Sequence, residues 1–185
     1  MAPSVKKFLI VIALGSLLAA SYGARAHKGV LNASTLHDLA RADTFTFDLR
    51  SKLTGCILNG VYPDHACTPG AIFPNATKDD ICRPGYSRSV RNVSSAKKEA
   101  IYAEYGITTH EKGEYEIDHF ISLELGGSNE SANLFPEPAE PRPGFHEKDE
   151  IENYLHAQVC GGNISLLEGQ ILVSAHWLEV YNLLH

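Results

Sequence analysis

Apolar residues recur at three- and four-residue intervals in four segments of the chain, which is the spacing of an amphipathic helix. The segments are 34–43, 94–106, 146–160 and 165–181. Cap signals support three of them: Ser34 before the first, Ser94 or Ser95 before the second, and a capping-box pair of Ser165 and Glu168 before the last. The early turns of the 146–160 segment carry acidic residues, which suit the positive end of a helix dipole. The pattern therefore predicts four helices.

A different period appears between the second and third helices. The residues at alternate positions are apolar or histidine: Tyr115, Ile117, His119, Ile121 and Leu123. A period of two predicts a strand. The Gly126-Gly127 pair then allows the chain to reverse with positive φ. We expect a second strand or a loop carrying Asn133 to follow, before the helix that opens near His146.

Residues 53–93 have a different composition, rich in glycine and proline and containing three of the four cysteines. Such a stretch predicts a loop-rich region held by disulfides. The four cysteines are disulfide candidates with three possible connectivities, which sequence does not distinguish: Cys56, Cys67, Cys82 and Cys160. A four-cysteine zinc site is the alternative, although the spacings lack a C-x₂-C pair.

The first 26 residues have the anatomy of a secretory signal peptide. Lys6 and Lys7 precede an apolar run over 8–20, and Ala24-Arg25-Ala26 is an A-x-A cleavage pattern. The alternative is an uncleaved anchor, but the apolar run is short for a membrane span. We expect a secreted or periplasmic product without stable membrane association after cleavage. The chain then divides into a signal peptide (1–26), a helical and Cys/Pro/Gly-rich region (27–105) and a core with C-terminal helices (106–185).

Removal of the signal peptide leaves 13 Lys and Arg against 22 Asp and Glu, a formal charge of −9. A strongly acidic chain is a poor candidate for tight nucleic-acid binding. The acidity is uneven, however, because residues 83–98 contain five cations and no acid: Arg83, Arg88, Arg91, Lys97 and Lys98. This run is the best candidate for phosphate contact, and a solvated loop beside a helix start is the alternative.

The candidate chemistry lies at the end of the predicted strand. Asp118 and His119 are adjacent there, and His146 follows 27 residues after His119 at the predicted start of a helix. A hairpin followed by a helix could bring that helix start back to Asp118. A carboxylate oxygen together with an imidazole nitrogen suits a divalent cation that keeps open water positions.

The stretch "DHFISLELGGSNESANLF" resembles the D-H-x-x-P-L-x-x-G-G-x-x-x-x-x-N-L pattern of HNH nucleases, the His-Me finger or ββα-metal group. From about residue 67 to the end, the chain is similar to small exported HNH proteins. Ser122 stands where the wider pattern has proline. The Cys-x-x-Cys pairs that brace many such fingers are also missing. The resemblance implies an α+β fold: a ββα-metal core with flanking helices and a disulfide-stapled N-terminal region.

The resemblance also implies a role for each site residue. His119 would be the general base that takes a proton from the attacking water, and a neutral imidazole near the usual pKa of about 6.5 suits that task. Asp118 and His146 would hold one divalent cation, Mg²⁺ first, with Mn²⁺ and Zn²⁺ as alternatives. Asn133 would hydrogen-bond the finger loop and so orient His119, with coordination through its amide as the weaker option.

The expected function is metal-dependent hydrolysis of phosphodiester bonds by an endonuclease of low sequence specificity. The substrate is DNA, with RNA as an alternative, and the expected phosphate contacts are Arg88, Arg91, Lys97, Lys98 and Lys148. The rival function is an exported interaction or metal-binding module that keeps the HNH scaffold without catalysis. The acidic charge favours the rival, whereas the filled Asp, His, Asn and His positions favour the enzyme. A protein partner is not identified by the sequence.

Overall fold

The computed structural model describes residues 31–42 and 49–185, so the expected signal peptide lies outside the described residues. Within them are seven helices and a two-stranded sheet, which confirms the α+β class. The helices are α1 (Ala33–Arg41), α2 (Lys78–Ile81), α3 (Tyr86–Val90), α4 (Ser95–Glu104), α5 (Phe145–Cys160), α6 (Leu166–Ala175) and α7 (Trp177–Leu184). The strands are β1 (Tyr115–His119) and β2 (Leu134–Pro138). None of the helices in the described ranges has the length and apolar character needed to cross a membrane.

The four predicted helical segments correspond to α1, α4, α5 and the pair α6 and α7, with differences at their ends, whereas the short α2 and α3 lie in the stretch 53–93 where no helix was predicted. Ser94 caps α4 by accepting from the Lys97 N–H, as predicted. The cap of α1 is Asn32 rather than Ser34, because the Asn32 side chain accepts from the Thr35 N–H at 2.9 Å. The expected single C-terminal helix is two helices, α6 and α7, which meet at His176. The capping box of Ser165 and Glu168 is present at the start of α6.

The strand β1 is shorter than its alternating pattern predicts. It pairs with β2 in antiparallel register, with Asp118 opposite Phe135 and His119 opposite Leu134. The pairing stops at His119, and Leu123–Leu125 forms a 3-10 turn capped by the Ser122 hydroxyl, which accepts from the Glu124 N–H. Asp118 and His119 therefore lie at the last positions of the ladder, where the backbone leaves the sheet.

Both disulfides are formed, which selects one of the three connectivities and removes the four-cysteine zinc alternative. Cys56 is joined to Cys67 within the loop-rich region, and Cys82 is joined to Cys160 at the end of α5. The second bridge spans 78 residues. A long closed loop restricts the unfolded chain more than a short one. The bridge therefore fastens the loop-rich region to the helix that follows the sheet.

Two hydrophobic clusters each draw side chains from both sides of the boundary at residues 105/106. One packs Leu36 and Ile81 against the apolar faces of α5, α6 and α7, with Trp177 almost fully buried. The other packs Ile101 of α4 against Phe135 of β2 and its neighbours. The regions on the two sides of this boundary therefore share their cores, and α5 lies against the 3-10 turn that follows β1.

Candidate active site at the end of β1

The paired residues that the sequence singled out are both buried at the end of β1. The side chain of His119 is 2% exposed and that of Asp118 is 12% exposed. His119 Nδ1 lies 3.9 Å from Asp118 Oδ1, so the imidazole and the carboxylate share one small space. The irregular backbone after His119 allows two adjacent residues to contribute to the same site.

The double glycine is explained by a tight fold of the loop 121–128. Gly126 has φ +80°, a conformation that side chains rarely adopt. A Cβ on Gly127 would lie 1.8 Å from the Ile121 carbonyl oxygen, so only glycine fits. The loop that leaves β1 therefore returns almost onto itself before β2 begins.

Asn133 holds this loop closed, which is the contact that the resemblance implied. Its side-chain oxygen accepts from the Ile121 N–H at 2.9 Å. Its amide nitrogen donates to the carbonyls of Ile121 and Ser128, each at 2.9 Å. The side chain is fully buried. Since its oxygen is already used within the loop, Asn133 does not fit the weaker option of metal coordination.

The imidazole of His119 has a second partner that sequence reasoning missed. Its Nε2 lies 3.2 Å from the side-chain oxygen of Asn129. Burial lowers the pKa of His119 to about 4, against the opposing charge of Asp118. The neutral form of this histidine is therefore the stable one at neutral pH, as a general base requires.

The carboxylate of Asp118 is held by a buried lysine. Lys148 Nζ donates to Asp118 Oδ2 at 2.7 Å, to the His119 carbonyl at 3.0 Å and to Glu152 Oε1 at 2.6 Å. It also lies 3.3 Å from Glu137 Oε2. The ammonium thus joins α5 to the end of β1 and to β2.

This placement corrects the expected phosphate contact of Lys148. Its side chain is 1% exposed and is surrounded by three carboxylates. The three N–H donors of this ammonium are taken by Asp118, the His119 carbonyl and Glu152, so none is left for a substrate phosphate. Lys148 is part of the interior that supports the site.

The charges around Lys148 shift one another strongly. Burial alone would raise the pKa of the Asp118 carboxyl, but the Lys148 ammonium outweighs burial and lowers that pKa to about 2. Burial raises the pKa of Glu152 to about 7 and raises that of Glu137 well above its usual value. The Lys148 ammonium is therefore shared among three carboxyl groups. The pKa of Asp118 is lowered, so Asp118 is ionised, whereas the pKa values of Glu137 and Glu152 are raised.

His146, the second expected metal ligand, lies in the first turn of α5 and is exposed. Its ring lies against that of Phe145, with centroids 4.2 Å apart and the planes tilted by 53°. Burial raises the pKa of Asp149 in the same turn, the charge of Asp118 raises it further, and His146 acts in the opposite direction. The charges of His146 and Asp118 therefore both act on Asp149, but among residues 31–42 and 49–185 Asp118 and His146 belong to no group of three ligand atoms within 4.8 Å of one another.

The basic run borders this site. Arg88, Arg91 and Lys98 are exposed, and Lys97 Nζ donates to the Asn129 carbonyl at 2.8 Å. The charge of Arg91 contributes to the low pKa of His119 and opposes the raised pKa of Asp149. Of the cations that the sequence nominated for phosphate contact, Lys97 thus bonds the residue that contacts His119, and Arg91 acts electrostatically on His119 itself.

Three further side chains of the site escaped sequence reasoning: Asn129, Ser122 and Glu152. The Ser122 hydroxyl, at the position where the HNH pattern has proline, donates to Glu152 Oε2 at 2.7 Å. A signal for Glu152 was present, because Lys148 and Glu152 are four residues apart on a predicted helix and so share a face. No comparable signal marked Asn129, which is one polar residue in a loop.

A separate group could in principle bind a metal ion. Potential ligand atoms of Cys82, His156 and Cys160 lie within 4.8 Å of one another, and across residues 31–42 and 49–185 no other trio of His, Cys, Asp or Glu meets that criterion. The two cysteines form a disulfide, so their sulfurs are not thiolate ligands in this state. His156 Nε2 also bonds the Ile81 carbonyl at 3.0 Å.

Comparison with known proteins gives no relative for this chain: no family model, no curated protein and no solved structure matches it.

Proposed function

We propose that the protein is an exported metal-dependent endonuclease of the HNH type, which hydrolyses phosphodiester bonds at Asp118 and His119. The observation that carries this proposal is the neutral, buried imidazole of His119 beside the ionised Asp118, next to a run of exposed cations. The order of elements is that of a ββα finger. The strand β1 is followed by the loop that Asn133 bonds, then by β2 and α5.

His119 is the base in this proposal. Its neutral ring can accept a proton from a water molecule as that water attacks phosphorus. Asp118 stays ionised next to it and favours the imidazolium that forms. Asn133 acts indirectly, because it closes the loop whose backbone and side chains surround His119.

Asp118 and His146 carry the types of ligand atom that suit a divalent cation. Asp118 offers Oδ1, because Oδ2 is held by Lys148, and His146 offers an exposed ring. Burial is the main cause of the raised pKa of Glu116 and of Asp149, and the negative charge of Asp118 adds to it, so a cation bound to Asp118 would relieve that repulsion. A cation held by Asp118 and His146 would supply positive charge for the phosphoryl oxygens and the departing 3′ oxygen.

The substrate we propose is DNA, with RNA as the alternative, bound weakly and without base reading. Arg88, Arg91 and Lys98 are exposed and lie in the segment that Asn129 bonds at Val90 and Asn92, so they can contact phosphates of a substrate at this site. Phosphate contacts position a nucleic acid but carry no sequence information. Low sequence specificity follows.

One observation favours a second candidate, an exported binding module that retains this scaffold without catalysis. Lys148 already neutralises Asp118, so a cation must bind a carboxylate that has a partner. The endonuclease would cleave nucleic acid, whereas the binding module would not. Purified mature protein should degrade plasmid DNA or RNA with Mg²⁺ or Mn²⁺ and not with chelator. Metal binding without degradation of either nucleic acid would favour the binding module.

Neutralising the basic run should weaken substrate binding. Replacing Arg88, Arg91 and Lys98 with Gln removes three exposed charges, and because each phosphate contact releases counterions, the slope of log affinity against log salt should become shallower. The measurement is fluorescence anisotropy with a short labelled duplex over a salt series. The matched control is Lys52 with Lys112 and Arg142, all changed to Gln. A slope unchanged in the first variant would place the phosphate contacts elsewhere.

A further inference from the structure

We propose that Asn129 is a positioning residue for the reaction proposed above: its side-chain oxygen keeps the proton of His119 on Nε2 and leaves Nδ1, which faces Asp118, as the base. The inference rests on the proposed function for its catalytic consequence. The tautomer that it assigns is a property of the protein alone.

The orientation of the Asn129 amide is fixed by two backbone contacts that do not involve His119. Its nitrogen donates to the Val90 carbonyl at 2.8 Å, and a carbonyl can only accept. Its oxygen accepts from the Asn92 N–H at 3.0 Å, and a backbone N–H can only donate. A flipped amide would lose both bonds. The atom next to His119 is therefore the oxygen.

This orientation determines which ring nitrogen carries the proton. An amide oxygen accepts hydrogen bonds and donates none, so His119 Nε2, at 3.2 Å, must be the N–H of the neutral ring. The lone pair then lies on Nδ1, 3.9 Å from Asp118 Oδ1. Without Asn129, the nearby carboxylate would favour a proton on Nδ1, and the lone pair would then move from Nδ1 to Nε2.

Asn129 is itself held on both sides. Lys97 Nζ donates to its carbonyl, and the preceding residue, Ser128, has its carbonyl bonded by Asn133. The asparagine of the HNH pattern therefore fixes the loop that presents Asn129, and Asn129 in turn fixes the histidine. The same residue also joins the basic run at Val90 and Asn92 to the base.

The test reads the tautomer directly in the full mature chain. Nitrogen-15 correlation spectra of the histidine rings, with His119 assigned by comparison with His119→Gln, should show the proton on Nε2 in the wild type. Asn129→Ala should shift the population toward the Nδ1–H form. Asn129→Asp should keep the wild-type tautomer although it loses the bond to Val90, because both of its oxygens only accept. Asn92→Ala, which leaves the backbone N–H in place, is the matched control.

Kinetics provide the second readout. Outer partners of a functional group typically contribute about 10- to 100-fold, so Asn129→Ala should lower kcat by that factor and leave KM unchanged. A wild-type spectrum with the proton on Nδ1 would overturn the inference, as would an Asn129→Ala protein with wild-type tautomer and kcat. If Asn129→Ala does not fold, the spectra of the wild type and of Asn129→Asp still show which nitrogen of His119 carries the proton. A wild type that cleaves no nucleic acid defeats the proposed function instead, and the spectra decide the tautomer independently.

Discussion

His119→Ala should lower the rate of phosphodiester cleavage by about 10²- to 10⁴-fold, the range typical of a lost general base. Divalent metal should still bind, because the expected ligands are Asp118 and His146. Asp118→Ala and His146→Ala should instead weaken metal affinity and rate together. The measurements are single-turnover cleavage and metal titration by calorimetry, with circular dichroism to confirm that each variant is folded.

The exposed His65 supplies the matched control, since His65→Ala should change neither quantity. A folded His119→Ala protein that cleaves at the wild-type rate would remove His119 from the mechanism. Equal loss of metal affinity in all three site variants would make His119 a ligand. The pH dependence follows from the same group: with a pKa of about 4 rather than the usual 6.5, the neutral base is retained in mildly acidic solution. Activity should therefore fall only as pH drops toward that value.

Lys148→Met should destabilise the protein by about 3–5 kcal/mol, because removing one partner leaves buried charge uncompensated. Three carboxylates lose their shared cation: Asp118, Glu137 and Glu152. The measurement is urea unfolding followed by circular dichroism. Lys112→Met, a change at an exposed lysine, is the control and should stay within about 0.5 kcal/mol of wild type.

The loss in Lys148→Met should depend on pH. Burial raises the folded-state pKa of Glu152 from 4.5 to about 7, and Lys148 opposes that shift. A carboxyl group with a raised folded pKa stabilises the fold below its unfolded pKa, and this contribution is lost as pH rises through the folded value. The loss of unfolding free energy in Lys148→Met should therefore increase as the pH rises from about 4.5 to 7, and it should remain large above pH 7. A loss that is the same across this window would mean that the deleted side chain mattered for packing rather than for charge.

The helices were predictable because their signals are local. The cap of α4 at Ser94 and the capping box of α6 involve residues three apart, and the apolar faces follow a fixed period. The end of β1 was not predictable in this way. Alternation continues to Leu123, but hydrogen bonds from Asn133 to Ile121 and the tight approach at Gly127 take the chain out of the sheet after His119.

The site was predictable only in part, for the same physical reason. Asp118, His119 and Asn133 stand out because a short pattern contains them, and the structure places all three around one loop. Lys148 was expected to contact phosphate, which requires the exposed position that lysines usually have. Its burial depends on Asp118, 30 residues away in sequence, and on Glu137 of the second strand. The pairing of Cys82 with Cys160 is likewise set by packing between distant segments.

We propose that His119 activates water for hydrolysis of a phosphodiester at this site. The most direct test of this proposal is cleavage of a short DNA duplex in water enriched in heavy oxygen, with Mg²⁺, followed by mass spectrometry of the products. We expect a free 3′ hydroxyl and a 5′ phosphate that carries one heavy oxygen with the wild type, and intact duplex with His119→Ala over the same reaction time. Intact duplex with the wild type, or products that end in a 3′ phosphate, would contradict it.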